Sequence, residues 1–302
     1  MYELENNNHK EIKGEKLDVR NVSSWRFRVA MKLNVELITD SVEVKGWENY
    51  YALPENIHPV IATTHLTDTD VQITAFTFSQ VADIAVSSIK TNQQDKIIGK
   101  LISLAGRENF YDIANQFVDK KANFRLDATN FLAMVRAVCK KGKTMVIPSH
   151  SPHYIGYGNR VLPDNPGLAA FIVANLTDRV VLPVAVEIHT KGRVGMAEDL
   201  FDNVIKKVKG KIPKSTVFIA EPIFLDAGGI PEELITTKNE VLDALQIFNS
   251  HTRMTMTEED RILSLETLRK LKKQGEIVMM AQSAELPKER RGIWHERLLK
   301  HP

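Results

Sequence analysis

The residues best suited to chemistry stand together at His65-Leu66-Thr67-Asp68-Thr69-Asp70. An imidazole gives and takes protons near neutral pH, and a carboxylate bonded to one ring nitrogen fixes which nitrogen keeps the lone pair. The H-x4-D spacing lets the chain turn into a helix and bring Asp70 back to His65. Asp70 would then bond one ring nitrogen and stabilise the imidazolium, while the other nitrogen takes a proton from a hydroxyl. This is the base-and-orienter half of a catalytic triad, with the substrate supplying the nucleophile. Taken alone, the pair reads by default as a surface histidine satisfied by water and backbone.

The surrounding elements decide where the pair sits. Val60-Ile61-Ala62-Thr63 is a short apolar, β-branched run between Pro59 and a polar stretch, which predicts a buried strand. His65 then falls just past the carboxyl end of a strand, where open α/β sheets build their sites. Thr67 or Asp68 is expected to cap a helix through the 70s. Further strands are expected at Thr144–Pro148, Val180–Ile188 and Thr216–Ala220, with a weaker one at Asp83–Ile89. Helical spacing marks Gln94–Ala105, Asp127–Cys139, Leu168–Asn175, Glu198–Val208 and two stretches within 230–273. Strands alternating with helices predict an α/β fold: a mostly parallel central sheet flanked by helices, with extra helices at the C-terminal end.

Residues 1–20 read as a flexible N-terminus, 21–280 as one α/β domain and 281–302 as a basic, loosely patterned tail. Ser24–Val35 mixes Trp25, Phe27, Val29, Met31 and Leu33 with Arg26, Arg28 and Lys32. Aromatic and basic residues mixed in this way mark interfacial segments. The alternation is nearer period two than a helical stripe, so a half-buried strand or helix with solvated arginines is the favoured expectation.

Composition narrows the class. A net charge of +2 over 302 residues gives no general attraction to nucleic acid. Cys139 is the sole cysteine, so no internal disulfide forms, and a reducing, cytoplasmic compartment is expected. Cys139 lies on the apolar side of its helix and reads as core. Residues 1–16 are polar without an apolar stretch, so no secretory leader is expected, and no run of apolar residues is long enough to span a bilayer. A lipid substrate would have to be met at the membrane surface or arrive on a carrier.

Over residues 44–223 the chain resembles the glycerolipid phosphate acyltransferase family. Val60–Asp70 resembles that family's strand leading into H-x4-D, and Gly46-Trp47-Glu48-Asn49 its preceding G-x-E-N segment. Phe117-Val118-Asp119-Lys120 is similar to the second motif, and Val181–Val186 to the proline-bearing apolar strand of the fourth. Val217–Ile223 is similar to the late strand ending in Glu-Pro-Ile. The strand ending at Pro148 resembles the lead-in to the third motif, but Ser149-His150-Ser151-Pro152-His153 stands where the family has Glu-Gly-Thr-Arg. A proline cannot replace an arginine that holds the acceptor's phosphate. The acceptor then lacks that phosphate, or Lys120 or Arg160 supplies the charge.

The resemblance implies transfer of a fatty acyl group from acyl-coenzyme A or acyl carrier protein to a hydroxyl acceptor such as a glycerol phosphate or lysophospholipid. It implies His65 as general base, Asp70 as its orienter and no cofactor beyond the acyl donor. Ser149, His150, His153, Lys120 and Arg160 are the candidate substrate-binding residues, with oxyanion-stabilising amides expected near Ser149. The loop Tyr154–Arg160 is a candidate cover for the acyl chain, and Lys206–Lys214 a basic patch for an acidic carrier or anionic lipid. Both also read as ordinary solvated surface. Peripheral contact with a membrane is a further expectation. Two other readings stay open: an inactive lipid- or carrier-binding relative, favoured by the altered third motif, and a metal-dependent hydrolase built on His65, Asp68, Asp70 and His150.

Overall fold

The computed structural model describes residues 22–36, 39–67, 69–87, 109–111, 135, 136, 138, 141–150, 161–189, 213–248 and 250–300. Among the described residues eight strands form one sheet: β1 (Val42–Lys45), β2 (Val60–Thr63), β3 (Ile84–Ser87), β4 (Phe110–Tyr111), β5 (Thr144–Pro148), β6 (Val180–Ile188), β7 (Ser215–Ile219) and β8 (Ile223–Phe224). Their order is β1-β7-β6-β2-β5-β3-β4, with β8 also on β6. The block from β6 to β4 is parallel, while β7 and β8 pair with β6 antiparallel and β1 follows β7. The sheet is therefore mixed but mostly parallel. β2, β5 and β6 lie at its centre and read as unbroken apolar runs because helices cover both faces.

Pro183 sits within β6, a position that proline normally avoids because it removes a ladder donor. It falls between the stretch that pairs with β8 and the stretch that pairs with β7. Its carbonyl accepts from the Ala220 amide on that side, so the missing N–H faces the gap between the two partners.

The described helices are α1 (Trp25–Glu36), α2 (Trp47–Tyr51), α3 (Asp70–Ser79), α4 (Ala169–Leu176), α5 (Lys238–Leu245), α6 (Ser250–Thr255), α7 (Glu258–Glu285) and α8 (Trp294–Lys300). Helices α1, α2 and α3 cover one face of the sheet, with Phe27, Met31, Tyr50, Ile73 and Phe78 in its core. Helices α4, α5 and α7 cover the other, around Phe171, Val241, Leu271 and Val278. A third cluster joins Leu66, Leu162, Ala185, Met279, Leu286 and Trp294.

The segment expected to favour a half-buried strand or helix on period-two grounds is helix α1. Phe27, Ala30, Met31, Asn34 and Val35 are buried, which is i, i+3, i+4, i+7, i+8 spacing. Trp25, Val29 and Leu33 face outward. Two apolar stripes on opposite sides of one helix add up to an apparent alternation.

The larger correction concerns the C-terminal end. Helix α7 is capped by Thr257 and Asp260 reciprocally and runs straight through the boundary set at 281. Beyond it, Trp294 is fully buried and donates its indole N–H to the Pro163 carbonyl at 2.9 Å. Residues 281–300 are thus part of the packed domain. Near its middle, α7 comes so close to α4 that a Cβ on Gly275 would lie 2.6 Å from Pro166 Cβ and 2.7 Å from the Phe171 ring. The helices expected at Gln94–Ala105 and Glu198–Val208 lie outside the described residues, as do residues 1–20. Of the helix expected at Asp127–Cys139, Val135 and Val138 are described and buried.

Gln282 on α7 hydrogen-bonds to the strands. Its side-chain N–H groups donate to the carbonyls of Ala62 on β2 at 2.7 Å and Val184 on β6 at 3.0 Å. Its side-chain carbonyl accepts from Ser149 Oγ, just past β5, at 2.8 Å. Leucine at this position would keep the volume and strip partners from buried polar groups, each costing roughly 1–3 kcal/mol. Val184 keeps the Thr64 amide as a second donor, which limits the loss. Gln282→Leu is expected to destabilise the fold by about 2–5 kcal/mol in urea unfolding; a change below about 1 kcal/mol would show that the bridge is dispensable.

Candidate functional site

β2 and β5 are parallel neighbours in a register that sets Thr63 opposite Pro148. The segments leaving them emerge side by side at the carboxyl edge of the sheet. The Ser149 amide donates to the Thr63 carbonyl at 2.8 Å and carries the pairing one step beyond the strands. One residue further on, the His65 amide donates to His150 Nε2 at 3.0 Å. An amide N–H can only donate, so His150 Nε2 holds a lone pair and the neutral ring carries its proton on Nδ1.

The same logic fixes the ring of His65. Its Nδ1 lies 2.8 Å from the Thr67 carbonyl, and a carbonyl can only accept. Nδ1 therefore carries a proton, and in the neutral ring Nε2 carries the lone pair. This is the tautomer that a general base requires. His65 and His150 are both buried, at 6% and 1% exposure. Little water competes for either ring.

Asp70 is fully buried in the first turn of α3. Sequence spacing assigns its carboxylate to the His65 ring. In the structure its described hydrogen bonds go to the connecting loop. Oδ2 accepts from the Leu66 amide at 2.7 Å and, at a long 3.4 Å, from Thr64 Oγ1. Oδ1 accepts from the Thr67 hydroxyl. Asp70 thus grips Leu66 and Thr67, and Thr67 presents the carbonyl that orients His65. The carboxylate positions the imidazole through one intervening residue. Thr64 is tied in turn to β6, since its hydroxyl accepts from the Val186 amide at 3.0 Å.

Burial pushes the Asp70 carboxyl up to about 7, and the bonds from Thr67, Leu66 and Thr64 hold it down only in part. Desolvation outweighs the donors, so this carboxyl changes charge near neutral pH. Helix α3 begins after Thr69, two residues beyond Thr67 and one beyond Asp68, the expected caps. Thr67 still helps, because its hydroxyl accepts from the Thr69 amide at 3.3 Å.

Ser149 differs from its expected role. It is fully buried, its hydroxyl is placed between Thr63 O and Gln282 Oε1, and its amide is taken by Thr63. With both groups facing inward, Ser149 ties strand ends together and has no donor to offer a ligand or an oxyanion. Its carbonyl accepts from Gly167 N at 2.8 Å, which seats the start of the α4 segment against the same corner. Gln282 was missed in the sequence because basic composition set a boundary at 281. The available signal was periodicity: Gln282 follows Leu271 and Val278 on the inner stripe of α7.

The structure therefore gathers His65, Asp70, Ser149 and His150 at one corner of the sheet. Lys120, His153, Arg160 and Asp68 lie outside the described residues, as do the loop Tyr154–Arg160 and most of the Lys206–Lys214 cluster. Among the described residues no group of three or more His, Cys, Asp or Glu side chains is placed to hold a metal ion. A cavity of about 410 Å3 lies elsewhere, among α5, α6 and α7, lined by Glu240, Asp243, Met256, Leu263 and Lys270 among others. No protein-family model, no curated protein and no solved structure matches the chain.

Asp70 gives the site a pH signature in stability. The folded protein keeps this proton up to about 7, whereas an unfolded chain releases it near the ordinary carboxylate value of about 4. Between these values the folded state binds more protons, so stability falls as pH rises through the window. Asp70→Asn removes that contribution. Its loss of unfolding free energy between pH 5 and pH 8 is expected to be smaller than that of the unaltered protein by roughly 2–3 kcal/mol. Parallel pH profiles for the two proteins would contradict the assignment.

Proposed function

We propose that the chain is an acyl-thioester-dependent O-acyltransferase with His65 as general base. The observation that carries this reading is the 2.8 Å contact of His65 Nδ1 with the Thr67 carbonyl just past the carboxyl end of β2, which calls for the proton on Nδ1. A buried imidazole with its lone pair on Nε2 is suited to take a proton from an incoming hydroxyl. The ordered motifs from Gly46 to Ile223 supply the reaction class.

His65 Nε2 accepts the hydroxyl proton as the acceptor oxygen bonds to the thioester carbonyl carbon. The tetrahedral intermediate collapses with cleavage of the C–S bond, and the imidazolium returns its proton to the departing thiolate sulfur. Ester and free thiol are the products, so the balance needs no oxidant or reductant. While the ring is charged, the Thr67 carbonyl dipole faces Nδ1–H and the Asp70 carboxylate lies just behind it. An ionised Asp70 favours the imidazolium, so turnover is expected to depend on pH near 7.

The acyl donor is coenzyme A or acyl carrier protein, and the acceptor a glycerol phosphate or lysophospholipid. Lys120, His153 and Arg160 are the candidates for holding its anionic group. His150 serves the site by accepting from the His65 amide. A lipid acceptor places the work at the inner face of a membrane, as a peripheral contact; no described helix is long and apolar enough to cross one. The change to Ser149-His150-Ser151-Pro152 favours a second reading, a relative that binds lipid or carrier without turnover.

The experiment measures thiol release from acyl-coenzyme A and acyl carrier protein thioesters against glycerol phosphates, lysolipids and neutral alcohols. Acceptor-dependent release that drops roughly 10²–10⁴-fold in His65→Ala is expected for a lost general base. Release indifferent to His65 would overturn the mechanism, and no release with any pair would move the assignment to the binding protein.

A further inference from the structure

Helix α1 presents two apolar faces, and only one is covered. Its inner face packs on α3 and the sheet through Phe27, Met31 and Val35. Its outer face carries Trp25, Val29 and Leu33 at i, i+4, i+8, exposed by 65%, 46% and 49%. At 100° per residue these three span less than a quarter of the helix circumference. Arg26 flanks them on one side, and Lys32 and Arg28 on the other. The one acid on this helix, Glu36, lies 3.8 Å from Lys32. The Arg26 guanidinium lies 5.7 Å from the centre of the Trp25 ring, within cation–π range.

We infer that this outer face is a docking surface for an anionic lipid bilayer. An apolar strip with Val29 on its centre line, Trp25 at one edge and cations along both margins suits a helix lying in the plane of a membrane interface. The apolar side chains enter the acyl boundary while the arginine and lysine groups stay at headgroup level. The arrangement argues against a second copy of the chain as occupant. A two-fold contact would bring each cationic margin against its equivalent, with Glu36 already engaged. Anionic headgroups neutralise those margins.

The direction of α1 fits the site it would serve. Ser23, just before the helix, bonds Ala82 O and the Ile84 amide at the start of β3. Thr39, just after it, bonds the Pro213 carbonyl, beside the Ser215–Ile188 pair at the carboxyl end of β6. The helix therefore climbs from the amino edge of the sheet to the edge that holds His65, with Leu33 at the upper end. Docking rests on exposure and charge alone; its use for acceptor delivery rests on the acyltransferase reading.

The test is flotation of the whole chain with vesicles of phosphatidylcholine, with and without phosphatidylglycerol. Binding to the anionic vesicles, weakened by salt and accompanied by a blue shift in Trp25 emission, is expected. Trp25→Ser/Val29→Ser/Leu33→Gln should keep its fold, since all three positions are exposed, and lose at least about tenfold in partitioning. Arg26→Gln/Lys32→Gln should lose roughly fivefold per cation. Absence of vesicle binding, equal binding by the apolar variant, or a concentration-dependent dimer abolished by the same substitutions would overturn the inference. His65→Ala should bind vesicles normally, and the apolar variant should release thiol normally with a water-soluble acceptor, so the two readings fail separately.

Discussion

The amide of Gln282 is the interaction on which the site depends. It sits on a helix that covers one face of the sheet, and its three bonds reach two strands and the residue that follows a third. Ala62 lies one residue short of the end of β2, and Val184 lies within β6, where its carbonyl also accepts from the Thr64 amide. Leaving a buried polar group here without its partner costs roughly 1–3 kcal/mol. One buried amide supplies both donors and an acceptor, and Ser149 extends the network to Thr63. The segments carrying His65 and His150 leave the sheet only one residue beyond these anchors. Their geometry follows from the anchored strands more than from their own loops.

Above that base, the site is a chain of single-purpose contacts. Asp70 grips Leu66 and Thr67, the Thr67 carbonyl sets the His65 ring, and His150 accepts from the His65 amide. The cost is concentrated on Asp70. Its donors offset part of the desolvation and leave its titration near neutrality. A fold optimised only for stability would put an amide or an apolar side chain there. Local violations of that kind concentrate where function requires them. The buried amide of Gln282 has its hydrogens and its carbonyl in use, and so has no comparable penalty.

Much of the framework was legible in the sequence. β2, β5 and β6 stood out because continuous apolar, β-branched runs are what a strand covered on both faces needs, and α4 lies within one residue of its expected bounds. The antiparallel direction of β7 was not legible, because alternation of strands and helices carries no sign for the last strands of a sheet. Helix α1 was obscured by its two apolar faces. The end of α7 was obscured by the basic residues Lys288, Arg290 and Arg291 that follow it. At the site, His65 and Asp70 were found by spacing. The Thr67 carbonyl was not, because a backbone acceptor has no sequence signature. Nor could spacing pair His65 with His150, whose contact crosses 85 positions and depends on the register of β2 against β5.

The central claim is that the protein holds His65 as a base with its proton on Nδ1. Long-range proton–nitrogen correlation spectra of the ¹⁵N-histidine-labelled protein, at a pH where the ring is neutral, read the tautomer directly. His65→Gln assigns the signal without relying on any activity. A protonated Nδ1 and an unprotonated Nε2 are the predicted result. A neutral ring protonated on Nε2 would contradict the account, since the nitrogen assigned to take the acceptor's proton would already be carrying one.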